Sequence, residues 1–238
     1  MKRVYDIAAV SDCGDGYGVT LDGKPLCTPA HMTLVLPKRV LAEAIADEWN
    51  AQSENVEPES MPLMRLASLA LDWVVAQREV VIDEVADYGS ADLLCYRIEH
   101  PQELARRQKE IWHPVLDWAA RRFDAPLAVT NGVLPVTQDP QVLAKLRAVV
   151  AEHDSFALAG LHAATHASGS LILALALASG HWNAAAVAVA SQLDEAYQAE
   201  KWGRDAEAEE RLAALKVQLH DAEKFLTLLG AVTPDTSR

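Results

Sequence analysis

Cysteine is nearly missing from this chain: Cys13, Cys27 and Cys95 are its three thiols, far apart and without a CxxC pair. That spacing excludes a disulfide framework and a zinc knuckle, and leaves free thiols in a reducing compartment as the expectation. Bases are scarce too, 21 against 34 acids, for a formal charge of −13. A surface of that sign excludes non-specific nucleic-acid binding, which depends on cations neutralising phosphates, and suits a soluble protein whose copies repel one another. A long apolar run is also lacking. The opening MKRVYDIAAVSD has too short an apolar stretch for a secretory signal. Residues 155–193 contain no Asp, Glu, Lys or Arg, yet Gly160, Gly169 and Gly180 and the histidines His162, His166 and His181 interrupt them. The apolar centre, LILALALA at 171–178, falls far below the roughly 20 residues that span a bilayer. Buried helices of a bundle are expected there, with no membrane insertion.

Three kinds of catalytic machinery are missing as well. The stretch GVTLDGKP (18–25) is nearly a phosphate-binding loop, but Pro25 stands where Ser or Thr must bind magnesium, and Pro29 forbids the helix that should follow. Alternation of Tyr17, Val19 and Leu21 and the Asp22-Gly23 pair predict instead a strand entering a hairpin turn, since glycine accepts the positive φ of a type I′ turn. There is no GxSxG elbow, and nothing near Cys95 in sequence supplies it with a base. The pair His162 and His166 (HAATH) shares one helical face and could ligate zinc, but Ala163 stands where a zinc protease has its general base, and spacing identifies no third ligand. Semi-buried histidines are the expectation, and no cofactor or metal is expected.

What is present divides the chain. Residues 1–60 read as a small α+β domain: the hairpin, a strand at Thr33–Leu36 closed by Pro37, and a helix over about 38–52 with a stripe through Leu41, Ile45 and Trp49. The polar, proline-punctuated SENVEPESMP (53–62) reads as a linker. Residues 61–238 read as a larger, mainly helical domain. Leu63, Leu66, Ala70 and Trp73 share a face, and Val80, Val81, Glu84, Val85 and Tyr88 continue a similar pattern. His113-Pro114 is expected to break or kink the helical run 101–123, and LAVTNGVLPVT (127–137) to form a small hairpin. Asp139-Pro140 predicts a capped helix start. Helices are then expected over about 155–167, 169–179, 182–202 and 205–229. The last has a seam of Ala208, Leu212, Leu215, Leu219, Ala222, Leu226 and Leu229, with Gly230 just past its end.

The segment LDEAYQAEKWGRDAEAE (193–209) stands apart. On a helical wheel Leu193, Ala196 and Tyr197 form a stripe that Glu200 joins, while Asp194, Glu195, Gln198, Lys201 and Trp202 gather opposite. Acids near a helix start favour the helix dipole whatever the function. Trp202 among them is not explained that way; it either packs on a neighbouring helix or anchors a partner, with packing favoured on the residues alone.

Separated words in a fixed order carry a resemblance: LDGKPLCTP (21–29), AIADEWNAQ (44–52), MP (61–62), DLLCYR (92–97), QKEIWHPVLDW (108–118) and LDEAYQAEKWG (193–203). Together the chain resembles the assembly chaperones that attend the alpha subunit of the F(1) sector of ATP synthase, over roughly residues 17–229. Cys27 and His113 depart from the family's pattern, a basic residue and Asp being expected there. The resemblance implies a non-enzymatic, monomeric chaperone that binds unassembled alpha subunit, shields its apolar surface and prevents its aggregation. It implies a client contact within 193–209, with Glu195 foremost and Asp194, Glu200 and Trp202 as alternatives, and structural roles for Trp49 and Trp112. A bacterial cytoplasm is the favoured compartment, with the mitochondrial matrix for eukaryotic relatives. The rivals are a small metallohydrolase using His162 and His166 with a carboxylate such as Glu200, and a generic helical scaffold.

Overall fold

A computed structural model describes residues 2–132, 136–203 and 206–231. The fold is α+β, a small β-rich N-terminal region followed by a larger helical one. Strands β1 (Ala8–Asp12), β2 (Tyr17–Leu21) and β3 (Lys24–Pro25) form an antiparallel sheet in that order. The register pairs Ala8 with Leu21 and Asp12 with Tyr17, and across the next turn Leu21 with Lys24. Both turn residues have positive φ, 48° at Asp22 and 80° at Gly23, as the type I′ hairpin requires. The Asp22 carboxylate accepts from the amides of Ile7 and Asp6, which hold its pKa below the ordinary aspartate value. Thr33–Leu36 does not become a strand. It touches the sheet through isolated bridges, Tyr17 with Leu36 and Cys27 with Thr33, because Pro37 and the bend at His31 (φ 64°) leave too little straight chain to pair.

Helix α1 (Arg39–Asn50) packs on β1 and β2 through Leu41, Ile45 and Trp49. Its last turn fastens the N-terminal region to the helical one. Glu48 accepts from Leu63 N at 2.8 Å and Met64 N at 2.9 Å, so a carboxylate from α1 serves the open amides at the start of α2 (Pro62–Leu69). The Asn50 side chain exchanges hydrogen bonds with Ala8 N and O, and the Tyr5 hydroxyl donates to Trp49 O at 2.7 Å. Residues 53–62 are therefore not a loose linker. Gln52 receives Glu57 N at 2.7 Å and donates to Ser60, Pro58–Ser60 forms a 3₁₀ turn, and Val56 and Met61 are buried.

The helical region continues from α2 through a π-helical turn (Ala70–Val74) into α3 (Arg78–Asp87). Val81, Ile82 and Val85 face inward there, whereas Val80 is exposed. Strand β4 (Tyr96–Arg97) pairs in parallel with β5 (Thr130–Asn131). The predicted hairpin over 127–137 thus finds a distant partner at its first arm; residues 133–135 of the second arm lie outside the described residues. Of the expected break or kink at His113-Pro114 there is no break: helix α4 (Gln102–Phe123) is continuous through Pro114. Pro114 faces solvent, where the carbonyl it cannot satisfy meets water, while Trp112, Val115, Leu116 and Trp118 on either side are buried. That burial, worth about 1.5–3 kcal/mol per large apolar side chain, outweighs the roughly 3 kcal/mol cost of an interior proline.

Then follow α5 (Pro140–Ala151), capped by Asp139 through Gln141 N as expected, α6 (Ser155–Ser168) and α7 (Leu171–Ala178). Every residue of α7 is buried. The expected helix 182–202 is two, α8 (Ala184–Ser191) and α9 (Leu193–Trp202), parted at Gln192 (φ −111°, ψ 20°). Finally α10 (Ala206–Leu229) lies on α6 and α8. Leu219, Ala222, Leu226 and Leu229 of its seam are buried, Ala208, Leu212 and Leu215 only partly, and Gly230 closes it with φ 72°. No helix among the described residues is long and apolar enough to cross a membrane.

Two consequences are measurable. A Cβ on Gly160 of α6 would sit 2.9 Å from Leu226 Cγ on α10, so Gly160→Val forces the helices apart and should lower the melting midpoint by roughly 5 °C, as overpacking does. The second concerns Asp92, fully buried at the α7 N-terminus. It accepts from Leu94 N at 3.0 Å, the Ser170 hydroxyl at 2.8 Å and Ile172 N at 3.2 Å. Burial outweighs these donors and pushes its pKa up from 3.8 to about 6. The folded chain therefore takes up a proton as pH falls through about 6 that the unfolded chain takes up only nearer 4. This group favours folding on acidification, opposite to an ordinary paired carboxylate. Between pH 7.5 and 5 the wild type should gain about 1 kcal/mol over Asp92→Asn, read from paired denaturation curves.

Candidate functional site: the outer face of α9

Helix α9 leans on α4, and a buried polar chain sets its rotation. Gln108 of α4 is completely buried. Its amide donates to Asp194 at 2.9 Å, its side-chain oxygen accepts from Ile98 N at 3.0 Å, and its backbone carbonyl accepts from Arg97 at 2.6 Å. The Arg97 guanidinium also donates to Leu94 O and lies 5.0 Å from the centre of the Trp112 ring, and Trp112 Nε1 donates to Ala190 O at 2.8 Å. Burial lowers the pKa of Arg97, with nearby Asp194 acting against that shift. Strand β4, α4 and the α8–α9 junction are thus held by one network in which every named polar group has a partner.

With Leu193 and Tyr197 buried and Asp194 drawn inward, the next acid points out. Glu195 is exposed and makes no hydrogen bond or ion pair among the described residues. Glu200 is paired: Arg107 bonds both its oxygens at 2.9 and 3.0 Å, Arg107 reaches Glu103 at 2.8 Å, and Lys201 reaches Glu103 at 2.9 Å. Both cations lie over the Tyr197 ring, at 5.4 and 5.1 Å. Trp202, expected to pack on a neighbour, is instead 78% exposed. The helix ends just beyond it at Gly203, and its indole reaches no inner surface. Between α9 and α10 opens a groove of about 260 Å³ with Glu195 and Glu200 on its rim. Of the four residues proposed for the client, Glu195 and Trp202 face outward unengaged; Asp194 and Glu200 are engaged within the chain.

Trp49 and Trp112 are buried, the structural places expected of them. Cys95 is buried and its thiol pKa is pushed up to about 12 by desolvation, next by the charge of Asp92, so it is no thiolate nucleophile. His162 lies 3.5 Å from Glu84 and edge-on to Trp73 and His166, and His166 meets the Tyr88 hydroxyl at 3.4 Å. Glu200, the carboxylate suggested for a hydrolase, is tied to Arg107 on α4. Among the described residues no three of His, Cys, Asp and Glu converge to hold a metal ion. What the sequence reading missed is Glu48, Asp92 and Gln108. All three stand inside the stretches 44–52, 92–97 and 108–118, and a polar residue amid apolar neighbours was the available signal.

A helix presenting an exposed acid and an exposed tryptophan is a surface of the kind that protein-binding proteins use. The comparisons with known proteins give the family. A model of the ATP12 chaperone protein matches residues 2–120. The chain is 44% identical to Atp12 of Paracoccus denitrificans, covering 96% of this chain and 98% of that one with a TM-score of 0.93. It is 39% identical to the Atu1473 protein of Agrobacterium tumefaciens, covering 97% and 85%, TM-score 0.90. It is 24% identical to the mitochondrial protein atp12 of Schizosaccharomyces pombe over 81% of this chain and 70% of that one. The chain belongs to the ATP12 chaperone family. It is accordingly a chaperone for assembly of the F(1) sector of ATP synthase, and family membership implies the alpha subunit as its partner.

The geometry separates two neighbouring acids by a stability measurement. Asp194→Lys leaves a buried Gln108 donor unsatisfied and should cost about 1–3 kcal/mol in chemical denaturation. Glu195→Lys should stay within about 0.5 kcal/mol, as exposed substitutions do.

Proposed function

We propose that this chain captures the unassembled alpha subunit through the outer face of α9, with Glu195 supplying a charged contact and Trp202 an apolar anchor. The observation that carries the reading is the 78% exposure of Trp202 on the same helix as an acid without a partner. Tryptophan is the side chain most concentrated at binding hot spots, and a solvent-facing one on a rigid helix buries a large area at little entropic cost when a partner arrives. Asp194 and Glu200 serve this surface indirectly: the first fixes the helix rotation through Gln108, and the second holds Arg107 and, through Glu103, Lys201 over Tyr197.

In this reading the chaperone is a monomer that works in the bacterial cytoplasm, with the mitochondrial matrix as the site for eukaryotic relatives. Kinship with the Paracoccus and Agrobacterium structures supports the bacterial setting. It comprises two units, residues 1–60 and 61–238, joined by the Glu48 and Gln52 clamps. The net charge of −13 keeps copies apart while the client is held.

Co-expression with alpha subunit tests the reading. Wild type should keep alpha soluble and co-purify with it. Glu195→Lys and Trp202→Ala should each reduce the recovered alpha at least severalfold, with melting midpoints within about 2 °C of wild type. Unchanged alpha solubility with and without the chain, at matched expression, would overturn the proposal.

A further inference from the structure

An apolar cavity lies where the N-terminal and helical regions meet. It holds about 650 Å³, within the range of ligand sites, and Trp49, Val56, Met61, Met64, Leu69 and Trp73 form much of its wall. None of its residues belongs to α4, α9 or α10, so it is separate from the surface described above. Its frame is tied from both regions. The Asp72 carboxylate accepts from the Thr28 hydroxyl and, at 3.2 Å, from Ala30 N, which fastens the loop after β3 to the helical side as one lip. Thr28 Oγ1 in turn accepts from Met32 N at 3.1 Å. Asp72 and Trp73 both sit in the π-helical turn Ala70–Val74, a geometry that recurs at functional sites. The Glu48 clamp holds the start of α2, and Met64 with it, against α1.

We propose that this cavity seats a short, uncharged apolar segment of the client. The inference rests on the reading that the chain captures the alpha subunit, and holds whether or not α9 makes the other contact. The chemistry of the wall selects the occupant. Its charged side chains are already committed, Asp72 to Thr28 and Ala30 and Arg65 to Glu59 at 3.3 Å, so none is left to neutralise a phosphate, a carboxylate or an ammonium. The polar groups left over are neutral donors. Trp49 is 8% exposed and its buried indole N–H meets no acceptor. Among the described residues the Ser68 hydroxyl and the Trp73 indole N–H have no hydrogen-bond partner either. A peptide brings apolar side chains for the walls and a backbone carbonyl at every residue for such donors. A pure hydrocarbon would leave the Trp49 N–H unsatisfied, and a nucleotide would bury its phosphates unpaired. Met61 and Met64 suit a segment whose side chains differ along its length, since flexible thioether chains re-form around different shapes.

The experiment uses the full chain co-expressed with alpha subunit. Cys27 is exposed on the lip, so Cys27→Trp plugs the mouth without entering the core. It should reduce recovered alpha roughly tenfold, about 1.4 kcal/mol of binding, with a melting midpoint within about 2 °C of wild type. In parallel, the purified wild-type complex is treated with N-ethylmaleimide and the modified thiols of this chain are counted by mass. Cys13, exposed in the turn between β1 and β2, is the internal reference, and Cys95 is buried. Cys27 should label severalfold more slowly in the complex than in the free chain, relative to Cys13. Full capture by Cys27→Trp, or an unchanged Cys27 rate in a complex that still forms, would overturn the cavity. Loss of capture by Glu195→Lys alone would then leave the α9 contact standing, whereas loss by Cys27→Trp alone would leave the cavity standing without it. Protection of Cys27 in the free chain by micromolar dodecanoate would overturn the uncharged segment in favour of an anionic lipid. If wild type itself fails to hold alpha, the capture reading falls and the inference with it.

Discussion

Helix α7 sets the constraint on which the helical region depends. Its eight residues are buried on every side, so it has no polar face to turn toward water. A helix without such a face must be enclosed, and α4, α6, α8 and α10 pack around it. Enclosure buries the helix N-terminus too, where open amides have no water to bond. Asp92 and Ser170 answer that need from within the protein, the hydroxyl capping Leu173 N and the carboxylate serving Ile172 N. A charge is thereby kept in the core because backbone donors there require it, even though desolvation raises its pKa.

A similar logic extends outward to the outer face of α9. Helix α4 crosses from the core to α9, and it carries a buried glutamine where an apolar residue would give no rotational register. Gln108 has donors and acceptors that only one alignment of β4, α4 and α9 can satisfy together. Once Asp194 is committed inward, Glu195 is turned to solvent and Trp202 is carried to the helix end. The surface is specified by its supports. Glu48, Trp49, Asp92, Gln108 and Trp112 lie in the interior or at its edge and fix the orientation of elements, and the exposed residues profit from it.

Much of this was legible in the residues themselves. The Asp22-Gly23 hairpin, the Asp139-Pro140 helix start, the Gly230 stop and the burial of 171–178 follow from local rules: a positive φ, a cap, a left-handed exit and a run of apolar residues. The α+β division of the chain was legible for the same reason. Other expectations rested on local rules that tertiary burial overrode. Pro114 did not break α4 because the flanking side chains are buried and its unpaired carbonyl is wet. Thr130–Asn131 found β4 as its partner, a pairing that sequence distance conceals. One predicted helix became α8 and α9, since Leu193 and Ala190 must both face inward on different neighbours. Residues 53–62 look like a linker by composition, yet Gln52 and the buried Val56 and Met61 hold them down.

By itself the sequence determined the class of elements, the capped and closed ends, the absence of a phosphate loop, and a set of words belonging to one chaperone family. It determined that the 193–209 segment is acidic and carries a tryptophan. Only the tertiary structure decided which of those acids is engaged and which is free. A helical wheel puts Asp194 and Glu195 on one side, and nothing local distinguishes them. The distinction comes from Gln108, 86 residues away in sequence from Asp194, whose buried amide must find an acceptor and takes the acid that α4 can reach.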